Sequence, residues 1–217
     1  MTLSSEIIES FKNFKTFTFS DVRMVLRNKH NKISDKTIQV TLSRMVRGEK
    51  LYTVKKGIFS LEQRDEFVGF AFTPFYYGGL TALMITDLID DQVKMEIMTT
   101  HKIKKSFIDV YKGKSHVEVH HLPKKYYFGF TEMRYGDIIV PVSDPEKTLI
   151  DLFYYNKRLS KRNYAELIKH VNMKTLEKYL NCYDKRIKKR IYKFIKIYKS
   201  LTKSECFKVF KRFYYFT

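Results

Sequence analysis

Apolar residues recur at helical spacing through the first third of the chain. From Ser4 to Phe14 they fall three and four residues apart, behind serines that can cap a helix. A second stripe follows Ser20, and a third runs from Ser34 to Gly48. The apolar face of this third segment consists of Ile38, Leu42 and Met45. The pattern predicts three successive helices.

Two short strand-like segments, Leu51 to Val54 and Ile58 to Leu61, follow the third predicted helix. They are joined by Lys55, Lys56 and Gly57, where glycine supplies the positive φ that a tight hairpin requires. Three helices followed by a basic hairpin predict a winged helix over residues 1–62. In such DNA-binding folds the recognition helix enters the major groove.

The face of the third helix opposite its apolar stripe is the candidate DNA-binding surface. At about 100° per residue, the residues that point away are Lys36, Val40, Ser43 and Arg47, and they are flanked by Thr37 and Arg44. Arg44 suits a two-pronged contact with guanine, and Val40 suits a thymine methyl group. Phosphate contacts are expected from Lys36, Ser43, Arg47, Lys55 and Lys56. Winged helices also serve as protein-interaction modules, in which case the same charges form a solvated surface.

After residue 62 the pattern becomes mixed. An aromatic turn and Gly78-Gly79 precede a helical stripe of Leu80, Leu83, Met84 and Leu88. Four strand-like segments follow, VKMEIMTT, SFIDVY, HVEVHHL and DIIVPV, which favour a largely antiparallel sheet. SDPEKTLIDLFYY then predicts a helix capped by Ser143 or Asp144, with Pro145 in its first turn.

The last part of the chain, from residue 156, reads as helical and basic. A long amphipathic helix is predicted over Tyr183 to Leu201, with shorter helices over Lys161 to His170, Lys174 to Leu180 and Ser204 to Phe213. The apolar stripe of the long helix is Ile187, Ile191, Phe194, Ile195, Tyr198 and Leu201. Its opposite side carries Lys185, Lys189, Lys193 and Lys196.

The charge is concentrated at the two ends of the chain. Residues 1–62 hold 12 basic and 6 acidic side chains, residues 63–155 hold 11 and 13, and residues 156–217 hold 19 and 4, which together give the net charge of +19. This balance favours a polyanionic partner. We expect the four tail lysines to extend the contact with double-stranded DNA. A membrane surface or an acidic toxin would also suit a basic amphipathic helix.

Composition excludes several classes of protein. With 44% hydrophobic residues, 8 Gly and 4 Pro, the chain is neither disordered nor collagen-like. No apolar run approaches the roughly 18 residues that span a bilayer, and the charged start does not resemble a signal peptide, so a cytoplasmic protein without membrane contact is expected. The two cysteines, Cys182 and Cys206, form no CxxC pair and are expected to be buried or half-buried side chains.

These patterns predict an α+β protein of two domains. The first is a winged helix-turn-helix over residues 1–62. The second, over residues 63–217, combines a mixed α/β part with an antiparallel sheet at 63–155 and a basic helical tail at 156–217. Nothing in the sequence marks a self-complementary surface, so monomer and dimer both remain open.

Three motifs in the second domain carry a resemblance to a known family. They are YYGGLTAL at Tyr76 to Leu83, KYYFGF at Lys125 to Phe130 and SDPEKTLIDL at Ser143 to Leu152. Together with the predicted winged helix, the chain resembles the AbiEi antitoxins of type IV toxin-antitoxin systems over roughly residues 4–155. The resemblance implies a transcriptional autorepressor that binds inverted repeats in its own promoter. It also implies a C-terminal domain that counteracts a nucleotidyltransferase-like toxin, with direct contact undecided.

Candidate catalytic groups are few. On a strand, His116, Glu118 and His120 share one face and could contribute to a metal site, although the further ligands that zinc requires cannot be placed. One alternative hypothesis is therefore a nucleic-acid-acting enzyme with a metal near His116 and His120, and another is a winged-helix regulator with no toxin partner. The carboxylates Asp144 and Glu146 are explained by helix capping. We assign no catalytic residue and no cofactor.

Overall fold

A computed structural model of the chain describes residues 2–90 and 93–200. They form two compact units, one comprising residues 2–75 and 97–121, the other comprising residues 76–90, 93–96 and 122–200. This division does not coincide with the boundary expected at residue 62, because residues 63–75 and 97–121 group with the N-terminal elements.

The helices and strands follow one another in a mixed α+β order. They are α1 (Leu3–Phe11), β1 (Phe17–Thr18), α2 (Phe19–Lys29), α3 (Asp35–Arg47), β2 (Tyr52–Lys55), β3 (Ile58–Ser60), β4 (Phe75–Tyr77), α4 (Gly79–Ile85), β5 (Met95–Thr99), β6 (Phe107–Val110), β7 (Ser115–His121), β8 (Phe130–Tyr135), β9 (Ile138–Ser143), α5 (Pro145–Tyr154), α6 (Lys161–His170), α7 (Met173–Leu180) and α8 (Lys185–Ser200). A 3₁₀ segment covers Asp65–Phe72.

The three N-terminal helices are confirmed, with different caps for the first two. Thr2 caps α1, and the Thr18 hydroxyl accepts from the Asp21 amide while the Asp21 carboxylate accepts from the Thr18 amide. With this reciprocal capping box, α2 is capped by Thr18 and begins at Phe19. Ser20 was the cap expected from the sequence. The first helix ends at Phe11, short of Phe14.

One core holds α1, α2 and α3 together. It is built from buried residues of all three helices and the segments that follow them: Ile7, Phe11, Phe17, Val22, Leu26, Ile38, Leu42, Met45 and Leu51. The Phe11 and Phe17 rings stack with centroids 4.2 Å apart. This stacking places β1 beside β3, with Phe17 opposite Phe59, and gives an antiparallel sheet of order β1-β3-β2.

The first unit also contains the β6–β7 hairpin. Its strands pair antiparallel from Phe107 opposite Glu118 to Val110 opposite Ser115, and β7 lies between β6 and β5. The four strands expected in the middle of the chain correspond to β5, β6, β7 and β9, with ends shifted by one or two residues.

The second unit contains a mixed sheet rather than a largely antiparallel one. Strand β9 pairs antiparallel with β8 and parallel with β4, where Tyr77 lies opposite Val142. The segment expected to be an aromatic turn is thus a strand. Its three residues are all buried, so the alternation that marks a half-exposed strand is missing.

The basic tail contributes α6, α7 and α8 to the second unit. Four residues of the predicted apolar stripe are buried on α8: Ile187, Ile191, Phe194 and Ile195. The Phe194 ring lies 5.2 Å from the Phe153 ring of α5, measured between centroids. Leu201, Cys206 and the helix expected over residues 204–213 lie outside the described residues. Cys182 is exposed, not buried as expected, because it follows the end of α7.

None of the helices formed by residues 2–90 and 93–200 is both long and apolar enough to cross a membrane.

Candidate nucleic-acid interface

Helix α3 is fixed at both ends and along one face. The Ser34 hydroxyl accepts from the Thr37 amide at 3.1 Å, and at the other end the Gly48 amide donates to the Arg44 carbonyl at 2.9 Å. Ile38, Leu42 and Met45 are buried as the sequence predicts. With these three side chains in the core, the opposite face of α3 is directed to solvent.

The residues predicted for the DNA-binding face of α3 are exposed. They are Lys36, Thr37, Val40, Ser43, Arg44 and Arg47. Val40 leaves 40% of its surface accessible, so its methyl groups are available for contact. The Thr37 hydroxyl lies 2.9 Å from the Ser34 hydroxyl that caps α3, so part of its hydrogen-bonding capacity is used within the protein.

In the described part of the chain, the arginines on the exposed face of α3 are not paired with carboxylates. The one carboxylate within α3, Asp35, pairs with Arg27 at 2.9 Å and Arg23 at 3.6 Å on α2. Within residues 2–90 and 93–200, no ion pair joins Arg44 or Arg47 to a carboxylate. The cationic groups of this face are therefore free to meet an external anion.

The two hairpin lysines are not equivalent. Lys55 is half-buried, with its ammonium 3.9 Å from the centre of the Phe72 ring, and burial lowers its pKa. Lys56 is exposed at the turn, beside Gly57 with its φ of 77°. The sequence assigned both to phosphate contact, and only the tertiary structure shows that one is held against an aromatic ring.

A groove lies between α3 and the β2–β3 hairpin. Its volume is about 390 Å³. It is lined by Phe19, Gln39, Leu42, Ser43, Val46, Arg47, Thr53, Phe59 and Lys112. Ser43 and Arg47 belong to the predicted DNA-binding face. Gln39 was not predicted from the sequence as part of this surface, although it lies four residues before Ser43 on the same row of the helix. Lys112 was not predicted either, because it is far away in the sequence and no local pattern marks it.

The histidines of β7 are not gathered into a metal site. His116 is exposed and its Nδ1 lies 2.6 Å from an Asp109 carboxylate oxygen, whereas His120 is buried 3.5 Å from Glu118. Within the part of the chain that the structure describes, no group of three or more His, Cys, Asp or Glu side chains is placed to hold a metal ion.

The three motifs that carry the family resemblance meet in the second unit. Asp144 caps α5 by accepting from the Lys147 amide, and it also accepts from the Tyr179 hydroxyl of α7 at 2.7 Å. Glu146 accepts a hydrogen bond from the Asn172 amide. Asp144 is thus the cap that the sequence predicted, and both carboxylates also join α5 to the tail.

A buried cation lies at the centre of these motifs. Lys147 is fully buried, its ammonium donates to Asp151, and it lies 5.5 Å from the centre of the Tyr76 ring and 5.6 Å from that of Phe128. Tyr76, Phe128 and Lys147 come from the three different motifs. Burial lowers the pKa of Lys147, while the neighbouring charge of Asp151 acts in the opposite direction.

The four predicted tail lysines, Lys185, Lys189, Lys193 and Lys196, are exposed on α8. The helix begins where Asp184 accepts from the Ile187 amide at 2.9 Å, and its buried side is further fixed by Arg190, which donates to the Phe153 carbonyl at 3.1 Å. The structure thus separates an apolar face that packs on α5 from a lysine-rich face in solvent.

Comparison with known proteins gives a likeness of fold. No family model matches the sequence, and no curated protein matches it. Among solved structures, the chain is similar to the crystal structure of the RV2827C protein from Mycobacterium tuberculosis, with a TM-score of 0.58 and 13% sequence identity over 83% of this chain and 72% of that one. At such low identity the likeness concerns the fold alone.

Proposed function

We propose that the chain is a DNA-binding transcription regulator whose N-terminal elements form a winged helix. The order α1, β1, α2, α3, β2, β3 and the antiparallel β1-β3-β2 sheet support this assignment. In this arrangement α3 is the recognition helix, and the turn at Lys56 and Gly57 is the tip of the wing.

The observation that carries the proposal is the uncompensated basic face of α3. Its buried stripe fixes the helix in the core, and its only acidic residue pairs away from the face. Arg44 is placed to read guanine through two hydrogen bonds, and Val40 to contact a thymine methyl group. Lys36, Ser43 and Arg47 would contact phosphates and set the orientation of the helix.

A gel-shift titration with the protein's own upstream DNA tests this assignment. Replacing Arg44 and Lys36 by Ala should weaken binding by about 1–3 kcal/mol if Arg44 reads a base. A charge-matched control replaces Lys12 and Lys29, two exposed lysines outside α3 and the hairpin, and should bind nearly as tightly as the parent. Equal affinities of the parent and the Arg44→Ala/Lys36→Ala variant would exclude α3 as the recognition helix.

We also propose that the chain is the antitoxin of a toxin-antitoxin system. The support is the resemblance of YYGGLTAL, KYYFGF and SDPEKTLIDL to AbiEi antitoxins, together with the packing of residues from all three motifs around Lys147. The regulator would bind inverted repeats in its own promoter, which places it in the cytoplasm. The second unit would counteract a nucleotidyltransferase-like toxin.

Co-expression with the product of the neighbouring reading frame separates the two roles. The parent chain should restore growth, and the Arg44→Ala/Lys36→Ala variant should protect equally well while losing repression. If the neighbouring product is not toxic, or the parent gives no protection, the protein is a regulator without a toxin partner. Light scattering with and without an inverted-repeat DNA would distinguish a dimer from monomers bound side by side.

A further inference from the structure

The tip of the β6–β7 hairpin holds an unusual backbone conformation. Residues 111–114 connect strands whose last paired residues are Val110 and Ser115. Tyr111 and Lys112 have φ values of 50° and 57°, and Gly113 follows at 84°. Few non-glycine residues adopt positive φ, and two in succession persist only where the surroundings hold them in place.

Three side chains, those of Tyr111, Lys114 and Ser115, hold this tip against the segment that follows β3. The buried Tyr111 hydroxyl donates to the Arg64 carbonyl at 2.5 Å and accepts from the Arg64 amide at 3.3 Å. Lys114 donates to the Gln63 side chain at 3.1 Å, and Ser115 bonds to Asp65 at 2.9 Å. Because burial raises the pKa of Tyr111 to about 12, its hydroxyl keeps its proton and its donor role at neutral pH.

The anchored tip directs one cation to the α3 groove. Lys112 is exposed and lines the groove together with Ser43 and Arg47 of α3 and Thr53 of β2. No carboxylate is among the residues that line the groove. In the described ranges, 2–90 and 93–200, Lys112 forms no ion pair.

We propose that Lys112 binds a DNA phosphate, so that the β6–β7 tip is a third DNA-contacting element beside α3 and the wing. This inference rests on the proposed DNA-binding function. A strand of the duplex that follows the groove would carry a phosphate to the two cations, Arg47 and Lys112. Val46 and Phe59, both half-buried on the groove walls, suit the apolar side of a deoxyribose. The contact fixes register and carries no base information.

DNA is the occupant that the surface favours, because the groove and the exposed face of α3 share residues. Ser43 and Arg47 belong to both, so a ligand that covers the recognition face also reaches the groove. The nine groove-lining residues include two cations and no anion, which suits a polyanion.

The test compares Lys112 with Lys105, an exposed lysine that precedes β6 and does not line the groove. In the full chain, Lys112→Gln should lower affinity for the upstream DNA and flatten the dependence of log affinity on log salt by about 0.9, the contribution of one phosphate. Lys105→Gln removes the same charge outside the groove, at a residue that does not hold the tip, and should keep the parental slope. Lys112→Arg should restore the slope, and the ratio of affinities for upstream and scrambled DNA should stay unchanged in Lys112→Gln.

A second variant distinguishes the loss of a phosphate contact from a loss of stability. Lys112→Gly removes the charge and relieves the positive φ, so its thermal midpoint should match or exceed that of the parent while its salt slope matches that of Lys112→Gln. A parental slope in both Lys112 variants, or equal flattening by Lys105→Gln, would overturn the assignment while leaving the recognition helix intact. Retention of the parental slope with loss of protection against the toxin would instead identify an acidic protein as the occupant. A parent chain that does not distinguish upstream from scrambled DNA would refute the proposed function itself.

Discussion

The hydroxyl oxygen of Tyr76 lies 2.6 Å from Oδ2 of Asp151, and both side chains are buried. Oδ1 of the same carboxylate accepts from Lys147, whose ammonium also lies 3.0 Å from the Tyr183 hydroxyl. Burial and the Asp151 charge raise the pKa of Tyr76 well above its usual range, so this hydroxyl remains a donor. The network ties β4, α5 and the start of the tail into one core.

Removing the Tyr76 hydroxyl should destabilise the second unit. Tyr76→Phe keeps the ring but leaves Oδ2 of a buried carboxylate without this donor, and we expect a loss of about 1–3 kcal/mol in the free energy of unfolding. Urea denaturation measures it. The control is Tyr192→Phe, at a tyrosine that is 41% exposed on α8, which should change stability by less than about 0.5 kcal/mol. Equal effects of the two substitutions would contradict a structural role for the hydrogen bond.

The Lys147–Asp151 pair should show strong coupling. Lys147→Met removes the cation that pairs with the buried Asp151 carboxylate and should cost about 3–5 kcal/mol, whereas the double variant Lys147→Met/Asp151→Leu removes both charges and should regain much of that loss. A double-mutant cycle in urea denaturation provides the measurement. If the two single losses simply add in the double variant, the ion pair contributes no coupling and the cluster is held by its aromatic packing.

Alanine substitutions at Gly129 and Gly57 distinguish the effect of steric crowding from that of backbone strain. Both have positive φ, 72° and 77°, but a Cβ at Gly129 would lie 2.9 Å from Lys147 Cβ and Tyr179 Cε2, whereas a Cβ at Gly57 meets nothing within 4 Å. Gly57→Ala should cost about 1 kcal/mol, from conformation alone. Gly129→Ala should cost about 1–3 kcal/mol more because the buried Lys147 backbone region cannot move aside. Thermal and urea unfolding would report the difference, and equal losses would show that the KYYFGF turn can adapt.

Lys56 should matter more than Lys55 for DNA affinity. The Lys55 ammonium is held over the Phe72 ring, while Lys56 is exposed at the tip of the hairpin. We expect Lys56→Gln to flatten the salt dependence of upstream DNA binding by about 0.9 and Lys55→Gln to change it less. Conversely, Lys55→Gln should lower the stability of the first unit by up to about 1 kcal/mol through loss of the cation–π contact. The reverse order of salt slopes would show that Lys55 leaves the ring when DNA binds.

The tail lysines should contribute to the electrostatic part of binding. Replacing Lys185, Lys189, Lys193 and Lys196 by Gln should flatten the salt slope by up to about 3–4 if all four contact phosphates, with sequence preference unchanged. Because their side of α8 is exposed and the apolar side is buried, the variant should fold normally. A parental slope with lost protection against the toxin would assign this face to a protein partner instead.

Elements with strong local signals could be predicted from the sequence. The stripe of Ile38, Leu42 and Met45, the Ser34 cap and the Gly48 end place α3 to the residue, and they also fix which side chains face solvent. The bounds of α6 were likewise correct, from Lys161 to His170. In these segments the helical period and the capping chemistry act over three or four residues, which a sequence displays directly.

Elements that depend on distant partners could not be predicted. Strand β1 has two residues and exists because Phe17 stacks on Phe11 and pairs with Phe59. Strand β4 is recognised through its parallel pairing with β9, some 65 positions later in the chain. Neither has a periodic pattern of its own, since one is too short and the other is buried on every residue.

The sequence by itself determined the N-terminal helices, the basic face of α3, the exposed lysines of α8 and the position of the motifs. Tertiary structure alone decided that Lys55 rests on Phe72, that Lys112 lines the α3 groove, and that Lys147 and Asp151 are buried together with Tyr76. The physical reason is the range of the forces. Helical periodicity and capping are local, whereas burial, ring contacts and the pairing of charges depend on which remote segments the fold brings within a few ångströms.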